Sequence, residues 1–508
     1  MIQWLKSRVN SGLLSDLVWW IIIIIGIILR LRQYIANRSL WLDEASLALN
    51  IVGRSFTGLT QPLDFEQGAP LGFLFIEKAV LLVLGNQDYI LRLFPLISGL
   101  FAIYFMYLIS KEYIGMPGLL ALSIFVISWT LIYYSSELKQ YSSDVLMSAG
   151  LLYLAFPVIQ KEAGRREILL LGVGGVISLW ISHPAIFVIA SIGLVLAIEY
   201  LHRKTFFKLA WILGMGAVWI IDFGVVYLVS LRYLMGNSYL QKFWQPFFMP
   251  LPPWRHVNWF GSAYLGLLGI VDKIGSVPSW HFALISSILL ILGMGWYFVR
   301  NRAIAFMLVL PFVFVLLASA LQKYPFGERL GLFMLPFLFL LMAKGLEQIY
   351  LLLARWNKMA SLVACTFFAL VLLWPLASTS FHFFLKPYLR EDVRSALTYL
   401  SQNDQAGDVI YVYSQSRVQF EYYAPSFNLE GDKVVFGAAR VGKVDVSDLN
   451  QLRGNRRVWL VFSSYCSKCA ASSDVSLYAQ YLRKIGKQID YARFTNASLF
   501  LYDLANNR

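Results

Sequence analysis

Three short stretches hold residues whose types and spacing can do chemistry. In SLWLDEASLALN, Asp43 and Glu44 are adjacent carboxylates in an apolar run flanked by Trp41. Burial there raises a carboxyl pKa toward the range of a general base. The same pair also reads as first-turn acids of a helix, facing the positive end of its dipole. Glu137, in YYSSELKQYSSD, is a third carboxylate, with Ser135 or Ser136 placed to cap a following helix. Lys323 and Arg329 bracket the run KYPFGER, a short loop with Pro and Gly. Arginine grips a phosphate with two parallel bonds and lysine acts as a point charge. The competing reading of Arg329 is a snorkelling cation paired with Glu328. His183, before Pro184, and Glu66-Gln67 are further candidates for substrate binding, with a hydrogen-bonded turn as the plainer reading of His183.

Several chemistries are missing from the 508 residues. There is no phosphate-binding P-loop, no dinucleotide fingerprint and no HExxH pair, and only five histidines occur in all. Cys466 and Cys469 form CSKC, which reads as a local disulfide or an inert pair because no second pair of metal ligands accompanies it. Cys365 lies in an apolar helix and reads as inert.

The elements that must position these residues are apolar. Hydrophobic residues make up 58% of the chain and charged ones 14%, with a mean hydropathy of +0.62. That balance excludes a soluble enzyme, a disordered chain and a secreted disulfide scaffold. Eleven runs of spanning length lie near 15–31, 89–110, 116–134, 143–160, 167–182, 184–201, 207–231, 281–299, 303–321, 330–350 and 359–380. A twelfth run, 70–85, is short and carries Glu77-Lys78 at its middle. A charged pair at mid-membrane is expensive, so this run is expected to lie along the outer surface as a juxtamembrane helix.

Charge supports that choice. With the N-terminus inside, the inner segments hold thirteen basic residues, Arg165, Arg166, Arg203, Lys204 and Lys208 among them. The short outer loops hold only Lys139, Lys323 and Arg329. This follows the positive-inside rule, and the net charge of +14 is read as flanks and contacts to anionic lipid, not as nucleic-acid binding. Residues 1–380 are therefore expected to form a transmembrane domain with outer loops 32–88 and 232–280. The second of these loops interleaves aromatics, prolines and cations, as an interfacial belt or the roof of a cleft would. Residues 381–508 change composition and read as an extracytoplasmic α/β domain. They hold an amphipathic helix in LREDVRSALTYLSQN, strands in DVIYVY, RVWLVFSS, IDYARF and SLFLYDL, and a helix near 474–486.

Taken in order, these features resemble a known family. One span is followed by an outer loop with Asp-Glu, a helix opened by Pro70, the run LRLFPLISGLF and a second outer loop of Ser-Glu-x-x-x-Tyr type. This resembles the integral-membrane glycosyltransferases of the C superfamily (GT-C), within it the protein O-mannosyltransferase and lipid A aminoarabinose transferase branch. Tyr324-Pro325-Phe326 with Arg329 and Pro336 is similar to the late arginine loop of bacterial members, and DVRSALTYL, GDVIYVY and ASLFLYDL to the extracytoplasmic domain of others. The beta-trefoil insert of eukaryotic relatives is missing, which points to a bacterial plasma membrane.

The resemblance implies an inverting transfer of a sugar from a polyprenyl-phosphate donor to a hydroxyl of a glycan, lipid or protein, at the outer face. Asp43 matches the catalytic base and Glu44 its neighbour, Glu137 matches the acid of the second outer loop, and Arg329, helped by Lys323, meets the donor phosphate. Where many relatives carry a Lys-Pro-Pro or Pro-Pro run, this chain has Gln67-Gly68-Ala69-Pro70. No cofactor is required. A divalent cation between Asp43 and Glu137 is chemically possible, but the cations already present make it unnecessary. The competing class is a flippase or transporter of lipid-linked saccharides, for which charges should line a path through the spans of two repeated halves. A membrane scaffold with a partner-binding tail explains 381–508 but not the acids and Arg329.

Sidedness has a direct check. Cysteines placed at Ser7 and Ser472 should label from opposite sides of sealed vesicles, Ser472→Cys from the outside. Labelling of both from one side would restore 70–85 as a full span.

Overall fold

In hydrocarbon a backbone finds no water, so an apolar run has to satisfy its amides internally as a helix. The computed structural model describes residues 2–160, 164–272, 277–438, 447–463 and 471–505. Among these, nine helices are long and apolar enough to cross a membrane: Asp16–Ile35, Ile90–Ile114, Tyr141–Gln160, Ala185–His202, Phe206–Met235, Trp280–Arg300, Arg302–Ala320, Glu328–Ala354 and Lys358–Leu385. Cys466 and Cys469 lie outside the described residues.

Two of the eleven expected spans take another form. Arg165–Ile181 is helical over 17 residues, just short of the others. The run 116–134 is broken into Gly118–Ile127 and Trp129–Tyr134, because Ser128 is extended at φ −61 and ψ 113. A ten-residue helix is about 15 Å long, half of a bilayer core. A break of this kind strands the last carbonyls of the first helix. Here the buried Arg30 donates to Phe125 O at 3.4 Å and Val126 O at 3.2 Å, and Ser380 Oγ donates to Ile127 O at 2.6 Å. Ser128 Oγ itself donates to Val271 O at 2.6 Å. The interruption was invisible in the sequence because the residues that satisfy it lie about 100 and 250 positions away.

The run 70–85 forms a 14-residue helix, Leu71–Leu84, with Pro70 at its amino end. Its charged pair is not turned to the surface: Glu77 is fully buried and Lys78 nearly so. Burial pushes the Glu77 carboxyl well above the usual carboxylate range.

Packing divides the chain into two compact units. The first comprises 1–35, 55–85 and 89–387 and holds all nine spans. Its most enclosed spans are Tyr141–Gln160 and Glu328–Ala354, each 78% buried, so the helices bearing Asp144 and Arg329 form its centre. Trp280–Arg300 meets Glu328–Ala354 at two glycines. A Cβ on Gly293 would stand 2.0 Å from Leu341 O, and one on Gly345 2.0 Å from Leu289 O. Small residues allow this approach, which replaces the hydrophobic drive that lipid cannot supply.

The second unit comprises 36–54, 86–88 and 388–508. Its sheet has the order β2-β1-β3-β5-β4, with β1 Val409–Val412, β2 Val434–Phe436, β3 Val458–Ser463, β4 Lys487–Phe494 and β5 Ala497–Asp503. β1 runs parallel to β2 and β3, and β5 is antiparallel to β3 and β4. β3 reads VWLVFS and is buried on both faces, as a central strand requires. Tyr411, Leu460, Tyr478, Leu482 and Tyr502 build the core. The helices Val393–Asn403 and Ala471–Ile485 and four of the strands fall where the sequence pattern predicts them. β2 and the helix Arg417–Tyr423 were not anticipated, being short and without clear periodicity.

Replacing Gly345 by valine should force the two helices apart. Overpacking of this kind costs about 1–3 kcal/mol, read as a lower melting temperature of the detergent-purified protein, with Gly295→Val as a control whose Cβ meets nothing within 4 Å. Equal melting of both variants would remove the glycine contact from this role.

Candidate functional site

The stretch YYSSELKQYSSD is not a helix cap followed by a first-turn acid. Ser135 and Ser136 donate back to the Ile132 and Tyr133 carbonyls, at 2.6 and 3.0 Å, and close the helix Trp129–Tyr134. The next helix starts only at Tyr141. Glu137 therefore sits in an irregular connection with no helix dipole to explain it, and is fully buried.

Arg329 opens the span Glu328–Ala354, after a tight turn in which Gly327 and Glu328 take positive φ of 149 and 46. Its guanidinium carbon lies 5.8 Å from the Tyr141 ring centroid and 5.5 Å from that of Trp244. Cation–π contacts of this kind hold an arginine in place at low dielectric. Tyr134 packs edge-on to Tyr141, with centroids 4.9 Å apart, and lies within electrostatic reach of both Glu137 and Arg329. The structure thus brings Glu137 and Arg329, 192 positions apart in the chain, around one pair of buried tyrosines.

A neighbouring group was missed by sequence reasoning. Asp144 is buried one helical turn after Tyr141, on the same face, with Ser182 beside its carboxylate. Tyr324 stands near both Asp144 and Tyr141 and donates to Leu330 O at 3.0 Å. Burial first, then Asp144 and Tyr141, push the Tyr324 phenol well above its usual range, so it is a neutral donor. The signal was present, since Asp144 closes the same run that contains Glu137. His183 follows Ser182 in the predicted turn, and burial lowers its pKa to about 4, which leaves a neutral imidazole at pH 7.

The remaining candidates of the first unit are placed as follows. Gln67 Oε1 accepts from Lys139 Nζ at 2.5 Å, and Glu66 accepts from Asn237. Both are tied into loop contacts, with Phe65 and Glu66 in the left-handed region. Lys323 is exposed. The loop that carries Arg329 is braced by Phe326 N donating to Phe247 O at 2.8 Å. The belt segment 232–280 thus supplies both Trp244 under Arg329 and the brace of its loop. What this arrangement can do is hold an oxyanion against a fixed guanidinium and hydrogen-bond hydroxyls with neutral tyrosines and a carboxylate.

Asp43 and Glu44 belong to the second unit, in the first turn of the helix Leu42–Gly53. Its amino end is capped from far along the chain: Leu42 N donates to Glu391 Oε2 at 3.1 Å. Gln419 Nε2 donates to the same oxygen at 2.5 Å, and Arg390 lies over the Trp41 ring at 3.2 Å. Glu44 is fully buried, its Oε2 3.6 Å from Nη2 of the equally buried Arg38. Asp43 beside it is only half-buried. The two neighbours therefore sit in different surroundings, one in a closed ion pair and one reaching the surface of its unit.

No family model matches the sequence, and no curated protein sequence matches it. Solved structures do. ArnT from Cupriavidus metallidurans bound to undecaprenyl phosphate superposes over 97% of this chain and 98% of its own, with a TM-score of 0.51 at 12% identity. The archaeal oligosaccharyltransferase AglB from Archaeoglobus fulgidus, in complex with an inhibitory peptide and a dolichol-phosphate, covers 96% of this chain and 74% of its own, with a TM-score of 0.50 at 11% identity. The chain has the fold of these two proteins along nearly its whole length, as the sequence resemblance implied.

The depressed His183 pKa makes a prediction about acid stability. The unfolded chain binds a proton near pH 6.5 and the folded chain only near 4, so stability falls as pH drops through that window. His183→Gln should remove about 1–2 kcal/mol of the acid sensitivity between pH 7 and 5. Melting curves of both proteins at pH 5, 6 and 7 check this, and parallel losses in both would show a solvated imidazole.

Proposed function

We propose that this protein is an inverting glycosyltransferase of a bacterial plasma membrane, taking a sugar from a polyprenyl-phosphate carrier to an acceptor hydroxyl at the outer face. The observation that carries the reading is Arg329. A guanidinium placed by two aromatic rings at the end of an enclosed span suits a phosphate whose hydrocarbon tail stays in the bilayer. The fold adds support, because ArnT was captured with undecaprenyl phosphate and AglB with a dolichol-phosphate.

The chemistry follows from the donor. The acceptor oxygen attacks the anomeric carbon opposite the phosphate, a C–O bond forms, and the C–O bond to phosphate breaks with its electron pair leaving on the carrier. The acceptor proton goes to Asp43, the residue that the resemblance matches to the catalytic base. Arg329, with the exposed Lys323 as a second cation, stabilises the charge that grows on the leaving phosphate. Glu137, Asp144 and Tyr324 orient the sugar hydroxyls, and Glu66, Gln67 and His183 shape the loops around them. No step needs a metal ion.

Single-turnover transfer from a synthetic short-chain polyprenyl-phosphate sugar in detergent tests these assignments together. Arg329→Ala should weaken donor binding and slow the transfer by about 10²-fold or more, because the same cation meets the phosphate before and during bond breaking. Arg329→Lys should recover only part, since an ammonium lacks the fork. Asp43→Asn should slow the chemistry by at least about 10²-fold with donor affinity retained. Unchanged donor affinity in Arg329→Ala would leave the arginine an anchor. Movement of the intact lipid-linked sugar across liposomes without transfer would make the protein a transporter.

A further inference from the structure

A second feature of the first unit lies at the other end of the bundle. The helices Arg165–Ile181 and Phe206–Val226 pack side by side and leave a groove of about 540 Å³ between them, within the roughly 300–1,000 Å³ of ligand cavities. Its walls are apolar, from Leu169 and Val176 on one helix to Trp211 and Val218 on the other. Glycines make the space. Gly172 and Gly214 face it from opposite walls, and a Cβ on Gly214 would meet nothing within 4 Å.

The mouth of the groove is basic. Arg165 opens the first helix, and its guanidinium carbon lies 5.8 Å from the rings of both Phe207 and Trp211, which themselves line the groove. Arg166 follows it, and Lys204 and Lys208 flank the start of the second helix. Arg203, in the same turn, is paired with Glu199 at 2.7 Å, and Glu167 is the one acid in the first turn of either helix. Cations beside two helix amino ends oppose both macrodipoles, an arrangement that an anion relieves. About 25 Å of helix separates this mouth from Ser182 and the Arg329 group, so it is not the donor site.

We propose that this groove is a binding site for an anionic phospholipid of the membrane, its phosphate head group on Arg165, Arg166 and Lys208 and an acyl chain between Gly172 and Gly214. Charge complementarity names the occupant. A zwitterionic lipid offers the same chain but cancels the attraction, and a soluble phosphate leaves the apolar walls unfilled. The site depends on the membrane fold alone and stands whether or not Arg329 binds a donor.

The test is the lipid retained by the full-length protein after purification from mixed micelles holding equal amounts of phosphatidylglycerol and phosphatidylcholine, counted by mass spectrometry. The wild type should retain phosphatidylglycerol in several-fold excess. Arg165→Gln should lower that preference about fivefold, the share of one membrane-proximal cation. Gly214→Leu puts bulk into the groove from a position where an added Cβ meets nothing within 4 Å, and should lower total retained lipid while the protein stays monodisperse and melts as the wild type does. Equal retention of the two lipids by the wild type would overturn the proposal. So would phosphatidylglycerol retention that responds to Arg165→Gln but not to Gly214→Leu, which would mean a charged surface without a chain-binding groove.

Discussion

The carboxylate of Asp88 holds the second unit together. Three separate pieces of chain build that unit, and Asp88 lies on the shortest of them. Its Oδ2 accepts from Tyr423 Oη at 2.6 Å and from Arg394 Nη1 at 2.9 Å, while Oδ1 accepts from Tyr422 Oη at 3.4 Å. Tyr423 in turn accepts from Leu40 N at 2.7 Å, and Arg394 donates to Asn37 O. One buried anion thus reaches both other pieces. Burial, then the charge of Asp88, push the Tyr423 phenol well above its ordinary range, which keeps it the donor in this chain of bonds. A network satisfied at each member stiffens its surroundings more than separate pairs would. The segment so fixed runs directly into Asp43 and Glu44, and their placement depends on residues more than 300 positions away.

The first unit solves a related problem in hydrocarbon, where leaving a carbonyl unpaired costs several kcal/mol. The break at Ser128 creates such carbonyls, and Arg30 and Ser380 meet them. Arg30 is a charge buried within a span, tolerated because it is spent on three backbone oxygens, Gly26 O included, and leans on the Phe125 ring at 5.7 Å. The break shortens the helix and lets the chain turn early into the stretch that carries Tyr134, Glu137 and Tyr141. A continuous span through 116–134 would carry that stretch onward in a helical path.

Aromatic rings manage cations throughout the molecule. Arg329 has Tyr141 and Trp244, Arg390 has Trp41, Lys344 has Trp296 at 3.8 Å, and Arg165 has Phe207 and Trp211. A ring face attracts a cation and bears burial at little cost, so it suits charges that must stay near lipid. The 16% of aromatic residues is therefore more than an interfacial belt. Part of it holds cations in place within and beside the bundle.

What the sequence by itself determined is what depends on local periodicity and composition. Apolar runs of 18 residues or more can only be spans in such a chain, and nine were placed to within a few residues. The continuous apolar run of VWLVFS and the strand-like composition of the last two strands made the sheet legible, as did the amphipathic pattern of the helix before it. Carboxylates and cations stranded in apolar surroundings also marked themselves, because their burial needs a reason wherever they fold. Tertiary structure decided everything that rests on partners distant in the chain. It separated Glu44, closed against Arg38, from the half-exposed Asp43, a distinction that two adjacent acids cannot show. It put Asp144 and Tyr324 beside the Arg329 group, turned Glu77 and Lys78 inward and broke the helix at Ser128. Each of these outcomes is set by which groups meet in a low-dielectric interior, and the energy of such a meeting belongs to the pair, not to either residue alone.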